Sequence, residues 1–263
     1  MRIEGVTIAM EPATTPRAVP DAASMRLPIG RRRCLAMLAA PLIAMPSTRS
    51  RADTETGGNP PWTLFTFGDS ILDCGRYNDH GVHPGQLLVR NDDVLFPEFK
   101  GRDLQARGPV RLEHRAVDGA TVDDLAAQAR GLRADGPGVA LLTVGGNDLL
   151  RGLARDSGAG MRRFETALHG FLKALPIRPV VLGTVYDPTF GDDTRNFLDV
   201  APAIVRANLR RVNDIIGAFA QRDGRLADIH AHFLRGEPSW FTRTIEPSLI
   251  GASEVRRVFL PLI

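Results

Sequence analysis

Residues 139–144, VALLTV, restrict the fold more than any other stretch of this chain. The run is short and almost wholly apolar, and Gly145-Gly146 follows it directly. That combination suits a central parallel strand buried on both faces and stopped by a turn. Residues 62–67, 111–117, 179–185 and 226–233 read as four more strands. Helical periodicities lie between them. Thr121 can cap a helix whose face carries Val122, Leu125, Ala126, Ala129 and Leu132. Met161, Phe164, Leu168, Phe171, Leu172 and Leu175 form a second stripe. Pro202 opens a third through Val205, Leu209, Val212, Ile216 and Phe219, and residues 252–260 form a last helix. Strands alternating with helices predict an α/β domain, a three-layer αβα sandwich around a mostly parallel five-stranded sheet.

The chain divides by charge. Residues 1–52 hold eight arginines against three acids, a net +5, which leaves −2 for residues 53–263 of the chain's total +3. The high pI of about 9.3 therefore belongs to the leader. Without a basic excess on the folded part, nucleic acid is not an expected partner. Arg31-Arg32-Arg33-Cys34-Leu35 opens an apolar run over 35–45 of signal-peptide length, too short to span a bilayer as a helix. The arginine pair resembles a twin-arginine export signal. The expected organisation is an export signal and basic leader over 1–52, a Gly/Pro-rich linker over 53–61 and one domain over 62–263. The expected location is the periplasm or outside the cell, without stable membrane insertion, and Met1 and Met25 both remain candidate starts. Of the two cysteines, only Cys74 lies beyond the leader, so neither a disulfide nor a CxxC metal site is expected there.

In parallel α/β sheets ligands bind outside the carboxyl ends of the strands. Polar and glycine residues end the first three strands here: Gly68-Asp69-Ser70, Asp118-Gly119 and Gly145-Gly146-Asn147-Asp148. A serine at a strand-to-helix turn can present its hydroxyl to a cleft. The N–H of Ser70, the N–H of Gly119 and the side-chain amide of Asn147 can together stabilise an oxyanion, as acyl transfer requires. These three blocks resemble the SGNH/GDSL hydrolases over residues 62 to about 260. The resemblance implies a flavodoxin-like fold, Ser70 as nucleophile, Gly119 and Asn147 as oxyanion donors, and a small-molecule, glycan or lipid ester as substrate, with no metal or organic cofactor.

The fourth block departs from that family. Where it carries Asp-x-x-His-Pro, this chain reads Arg243-Thr244-Ile245-Glu246-Pro247. Glu246 can serve as base only if burial raises its pKa, and a paired Arg243 would oppose this. A simple Arg243–Glu246 ion pair is the alternative. Histidines elsewhere can also be recruited. His83 and His80 lie in the 75–108 segment, expected to fold over the cleft as a specificity loop, and His232 lies near the end of the fifth strand. His114 and His169 are expected to be structural. Two functions follow: a serine esterase acting through an acyl-enzyme at Ser70, or an impaired binding module of the same fold for esters or acylated glycans.

Overall fold

The computed structural model describes residues 61–263. The leader and all but the last residue of the linker, on which the export reading rests, lie outside the described residues. Five parallel strands form the sheet: β1 (Trp62–Gly68), β2 (Val110–His114), β3 (Gly138–Thr143), β4 (Val180–Gly183) and β5 (Gly224–Ala227), in the order β2-β1-β3-β4-β5. The order reverses between β1 and β3, where a crevice for ligand opens in folds of this kind.

Strand alternation divides the core into two. Phe65 and Phe67 of β1, Ala140 and Leu142 of β3, and Val180 and Leu182 of β4 face one way. They meet the stripes of α4 (Ala159–Ala174) and α5 (Pro202–Asp223), including Phe164, Leu168, Val212 and Ile216. Leu64, Val139, Leu141 and Val181 face the other way. There they pack with α1 (Pro84–Val89), α6 (Ile229–Phe233) and α7 (Leu249–Phe259). This is the expected three-layer sandwich.

Three local expectations change. Residues 226–233 are not one strand: β5 ends at Ala227, and Asp228 accepts the Ala231 N–H at 3.0 Å to cap α6. Ile229 and Phe233, four apart and fully buried, show helical spacing that outweighs the apparent alternation of His230 and His232. The helix expected after Thr121 is a single 3-10 turn followed by the short α2 (Leu125–Gln128), with Gly131 in the left-handed region (φ 68°) three residues on. Apart from Arg76 and Tyr77, which meet Asp118, the 75–108 segment does not cover the cleft beside Ser70. Its Leu87, Leu88, Phe96, Phe99 and Leu104 are buried in the second core. There Asn91 and the Phe99 ring grip the buried Arg256 of α7, Asn91 at 2.6 Å and the ring centroid at 3.5 Å.

Candidate active site

Ser70 lies just past the end of β1, and the turn that presents it is fixed from three sides. Gly68 has φ 116°, and a Cβ there would fall 1.6 Å from the Thr143 carbonyl oxygen, so no other residue fits. The buried Gln128 amide accepts the Gly68 N–H at 2.7 Å and donates to its carbonyl at 2.8 Å. Asp69 accepts from the Ile71 N–H at 3.2 Å and from the Thr143 hydroxyl at 2.8 Å. Burial drives the Asp69 carboxyl up to about 7, although both of these bonds favour its ionised form.

Gly119 follows β2 in the left-handed region, with φ 79°. The loop it belongs to is held by the face of α3 (Gly146–Leu150) and the residue beyond it. Asn147 Nδ2 donates to the Ala120 carbonyl at 3.0 Å, and Arg151, one turn on, donates to the Gly119 carbonyl at 2.9 Å. Asp148 accepts the Val122 N–H at 3.2 Å, and burial raises its carboxyl to about 6. Among the described residues, neither the Ser70 N–H nor the Gly119 N–H donates to a protein acceptor. One hydrogen of the Asn147 amide is also left over. Three donors are thus uncommitted in the loops that follow β1, β2 and β3.

Glu246 comes from the other end of the sequence. It lies in β7 (Glu246–Pro247), paired antiparallel with β6 (Phe241–Thr242) across a tight turn in which Arg243 and Thr244 have positive φ. Tyr186, buried after β4, donates its hydroxyl to the Ile245 carbonyl at 2.6 Å and so ties this turn to the sheet. Its ring stacks on Phe233 at 4.9 Å and meets the edge of Phe241 at 5.0 Å. Burial raises the Glu246 carboxyl from its ordinary value, and the nearby Ser70 hydroxyl pulls the other way, although no Ser70–Glu246 hydrogen bond forms among the described residues. Glu246 Oε2 is buried without a partner. No Arg243–Glu246 ion pair forms among the described residues. Arg243 instead lies over the Tyr77 ring at 5.2 Å and acts on Glu246 only through its field.

The histidines do not converge on Ser70. His83 is buried at the start of α1 and stacks on His114, with ring centroids 3.9 Å apart. Burial, and then the field of His114, lower His83 to about 4, so its ring is neutral at ordinary pH. His114 bonds to Thr66 at 2.7 Å and Asp73 at 3.2 Å. His232 bonds to Glu254 at 2.8 Å and stacks on Trp240 at 5.1 Å. His80 is exposed, and His169 lies over Phe219 at the protein surface. Gln128, Arg151 and Tyr186, which hold the Ser70, Gly119 and Glu246 turns in place, were not singled out by the sequence. Among the described residues no group of three or more His, Cys, Asp or Glu is arranged to hold a metal.

Ser70 and Asn147 open on a cleft with about 840 Å³ of empty space, its mouth included. The 187–198 segment after β4 forms one wall, and α5 forms the other. Asp192 and Asp193 stand at its rim, where Asp193 pairs with Arg206 of α5.

Solved structures share this fold at low sequence identity. Axe2, an acetylxylan esterase from Geobacillus stearothermophilus, is 21% identical with a TM-score of 0.55, over 77% of this chain and 94% of that one. Catalytic mutants of that esterase replace a serine and a histidine with alanine. LAE5, an alpha/beta hydrolase enzyme from the metagenome of Lake Arreo, is 23% identical with a TM-score of 0.52, over 78% and 96% of the two chains. A member of the lipolytic protein G-D-S-L family from Veillonella parvula is 18% identical with a TM-score of 0.51, over 77% and 98%. No curated protein matches the sequence. The sequence model of the GDSL-like Lipase/Acylhydrolase family matches residues 66–249, from the end of β1 to the start of α7, and the chain belongs to that family.

Proposed function

We propose that the protein hydrolyses carboxylic esters through an acyl-enzyme at Ser70, with Glu246 as the general base. One observation carries this reading: Ser70 lies beside three uncommitted hydrogen-bond donors and near Glu246, a partly buried carboxyl whose pKa burial raises. A carboxylate at its ordinary pKa is a weak base for a serine, and raising that pKa strengthens it.

Glu246 takes the Ser70 proton as Oγ bonds to the ester carbonyl carbon. The Ser70 and Gly119 N–H groups and the Asn147 amide stabilise the charge on the former carbonyl oxygen. The bond to the alcohol oxygen then breaks, and Glu246 returns its proton to that oxygen. Water attacks the acyl-enzyme with Glu246 again accepting a proton. The acid leaves, and Ser70 recovers its hydrogen. Asp69 shapes the turn and takes no proton in this scheme.

The second reading, a binding module, draws on the unpartnered Oε2: no group orients Glu246 as an acidic residue orients a histidine base. p-Nitrophenyl acetate hydrolysis by the purified protein and by Ser70→Ala separates the two. The esterase reading expects Ser70→Ala to lose about 10³-fold or more in kcat/KM. Equal rates for the two proteins on acetate and on longer esters would leave the binding module.

A further inference from the structure

Two surfaces of opposite character meet at Ser70. One is polar and surrounds Glu246. Asp118 accepts from the Tyr77 hydroxyl at 2.6 Å and from Arg76 at 3.1 Å, Arg243 lies over the Tyr77 ring, and the charges of Asp118, Arg243 and Arg76 all reach Glu246. None of these four residues lines the cleft. The cleft is the other surface, walled by Ile71, Leu149, Val185, Phe197, Val205 and Leu209.

Away from Ser70 and Asn147, the polar side chains along the cleft bond within the protein. The Asp187 carboxylate accepts from the Thr189 N–H at 2.9 Å, the Thr189 hydroxyl at 2.6 Å and the Gly191 N–H at 3.2 Å. Asn196 donates to the Leu198 and Val200 carbonyls, and Asp193 is paired with Arg206. What the wall offers a ligand is therefore hydrocarbon. At the mouth Leu150 and Phe197 remain 40% and 43% exposed, large apolar side chains that gain from being covered.

The reaction assigns the two surfaces. Glu246 hands the proton it took from Ser70 to the departing alcohol oxygen, so the alcohol part must leave on the Glu246 side. The acyl part then points the opposite way, past Asn147 into the cleft. Resting on the esterase reading, we propose that the cleft is an acyl-chain pocket and that the protein prefers esters of medium-length alkyl acids to acetyl esters. The polar surface around Asp118 and Arg243 receives the alcohol part.

The test is kcat/KM for p-nitrophenyl acetate, butyrate and hexanoate, which share one leaving group and differ only in the acyl chain. Each methylene moved from water to a dry wall is worth about fourfold. With drying incomplete, hexanoate should exceed acetate by at least about tenfold. Val205→Trp, filling the cleft from α5, and Leu150→Glu, charging its mouth, should each cut the hexanoate-to-acetate ratio by about tenfold. Using two sites guards against a variant that fails to fold. Ser70-dependent turnover that is flat or falling from acetate to hexanoate overturns the pocket and leaves the esterase reading intact. A length preference found instead in hexyl acetate over ethyl acetate overturns the assignment of sides. If no ester is turned over in a Ser70-dependent way, the esterase reading fails, and calorimetry of hexanoate with the Ser70→Ala protein decides the pocket. Binding that Val205→Trp abolishes supports an alkyl-carboxylate site, and no binding overturns it.

Discussion

Two buried polar clusters flank the end of β1, and they solve the problem of burial in opposite ways. In the first, His83 and His114 stack, and Thr66 and Asp73 bond to His114. Burial would raise Asp73, but the bonds from His114 and the Asp118 N–H hold it below the usual range, while His83 is kept neutral. In the second, Asp69, Asp148 and Glu246 are all carboxyls raised by burial, within reach of one another's charge or of Ser70. The first cluster is held by these bonds around His114 and Asp73, although His83 Nδ1 is buried without a partner. The second holds groups that gain by taking up a proton, beside a hydroxyl that has one to lose. On the proposed reading, the base is not the histidine close to Ser70 in sequence but a carboxylate 176 positions away.

The contrast can be broken at several points. After the variants of Ser70 and Glu246, the largest effect should come from Asn147→Ala, which removes the proposed oxyanion donor together with the tie to Ala120. A loss of about 10²–10³ in kcat with p-nitrophenyl acetate is expected.

Opposite pH dependences of stability come next. Asp69 has a folded pKa of about 7, above the usual aspartate value, so the folded state holds a proton that the unfolded state has released. Its contribution is present below about pH 4 and is lost as pH rises towards 7. Asp69→Asn should therefore gain stability over the wild type as pH rises through that window, by about 1–4 kcal/mol in urea unfolding at pH 8 relative to pH 4. His83 behaves in reverse. Its folded pKa of about 4 lies below the usual histidine value of about 6.5, so stability is lost as pH falls between the two. His83→Phe keeps a ring against His114 and should flatten that acid-side loss by about 1–3 kcal/mol. Esterase kcat should stay within a few-fold.

The smallest effect is expected at Tyr186→Phe, which removes the single bond from its hydroxyl to Ile245. About 1 kcal/mol of stability should go, and kcat should fall more than KM changes, because the turn carrying Glu246 is loosened while the cleft wall stays. Equal losses in kcat and KM would point to a cleft distortion instead.

Much of this was legible in the sequence because turn chemistry leaves a local signature. Gly68, Gly119 and Gly145 follow the first three strands, and the polar residues after the first and third, Ser70 and Asn147, come to the crevice at the β1/β3 reversal. Spacing alone identified Glu246, but nothing local says whether Arg243 pairs with it. Two positive-φ residues in the turn send the guanidinium to Tyr77 instead. Gln128 was readable in principle, being a polar residue three after Leu125 on a buried helix face. Asn213 of α5 does the same after β4, exchanging bonds of 2.8 and 2.9 Å with Val185. Residues 229–233 misled because His230 and His232 mimic a strand, whereas the Ile229–Phe233 spacing and the Asp228 cap carry the helix. The 75–108 segment misled because its Gly and Pro punctuation drew more weight than the leucines and phenylalanines between them, which mark a packed element.

The central claim is that a carboxylate, and no histidine, activates Ser70. The most direct measurement is kcat/KM for p-nitrophenyl acetate against pH, for wild type, Glu246→Gln and His83→Phe. Wild type should lose activity as pH falls through a pKa raised from the ordinary glutamate value, since Glu246 must be ionised to accept the proton. Glu246→Gln should lose about 10²–10⁴-fold and lack that acid limb, while His83→Phe keeps both rate and limb. Near-wild-type rates in Glu246→Gln, with the limb intact, would contradict it.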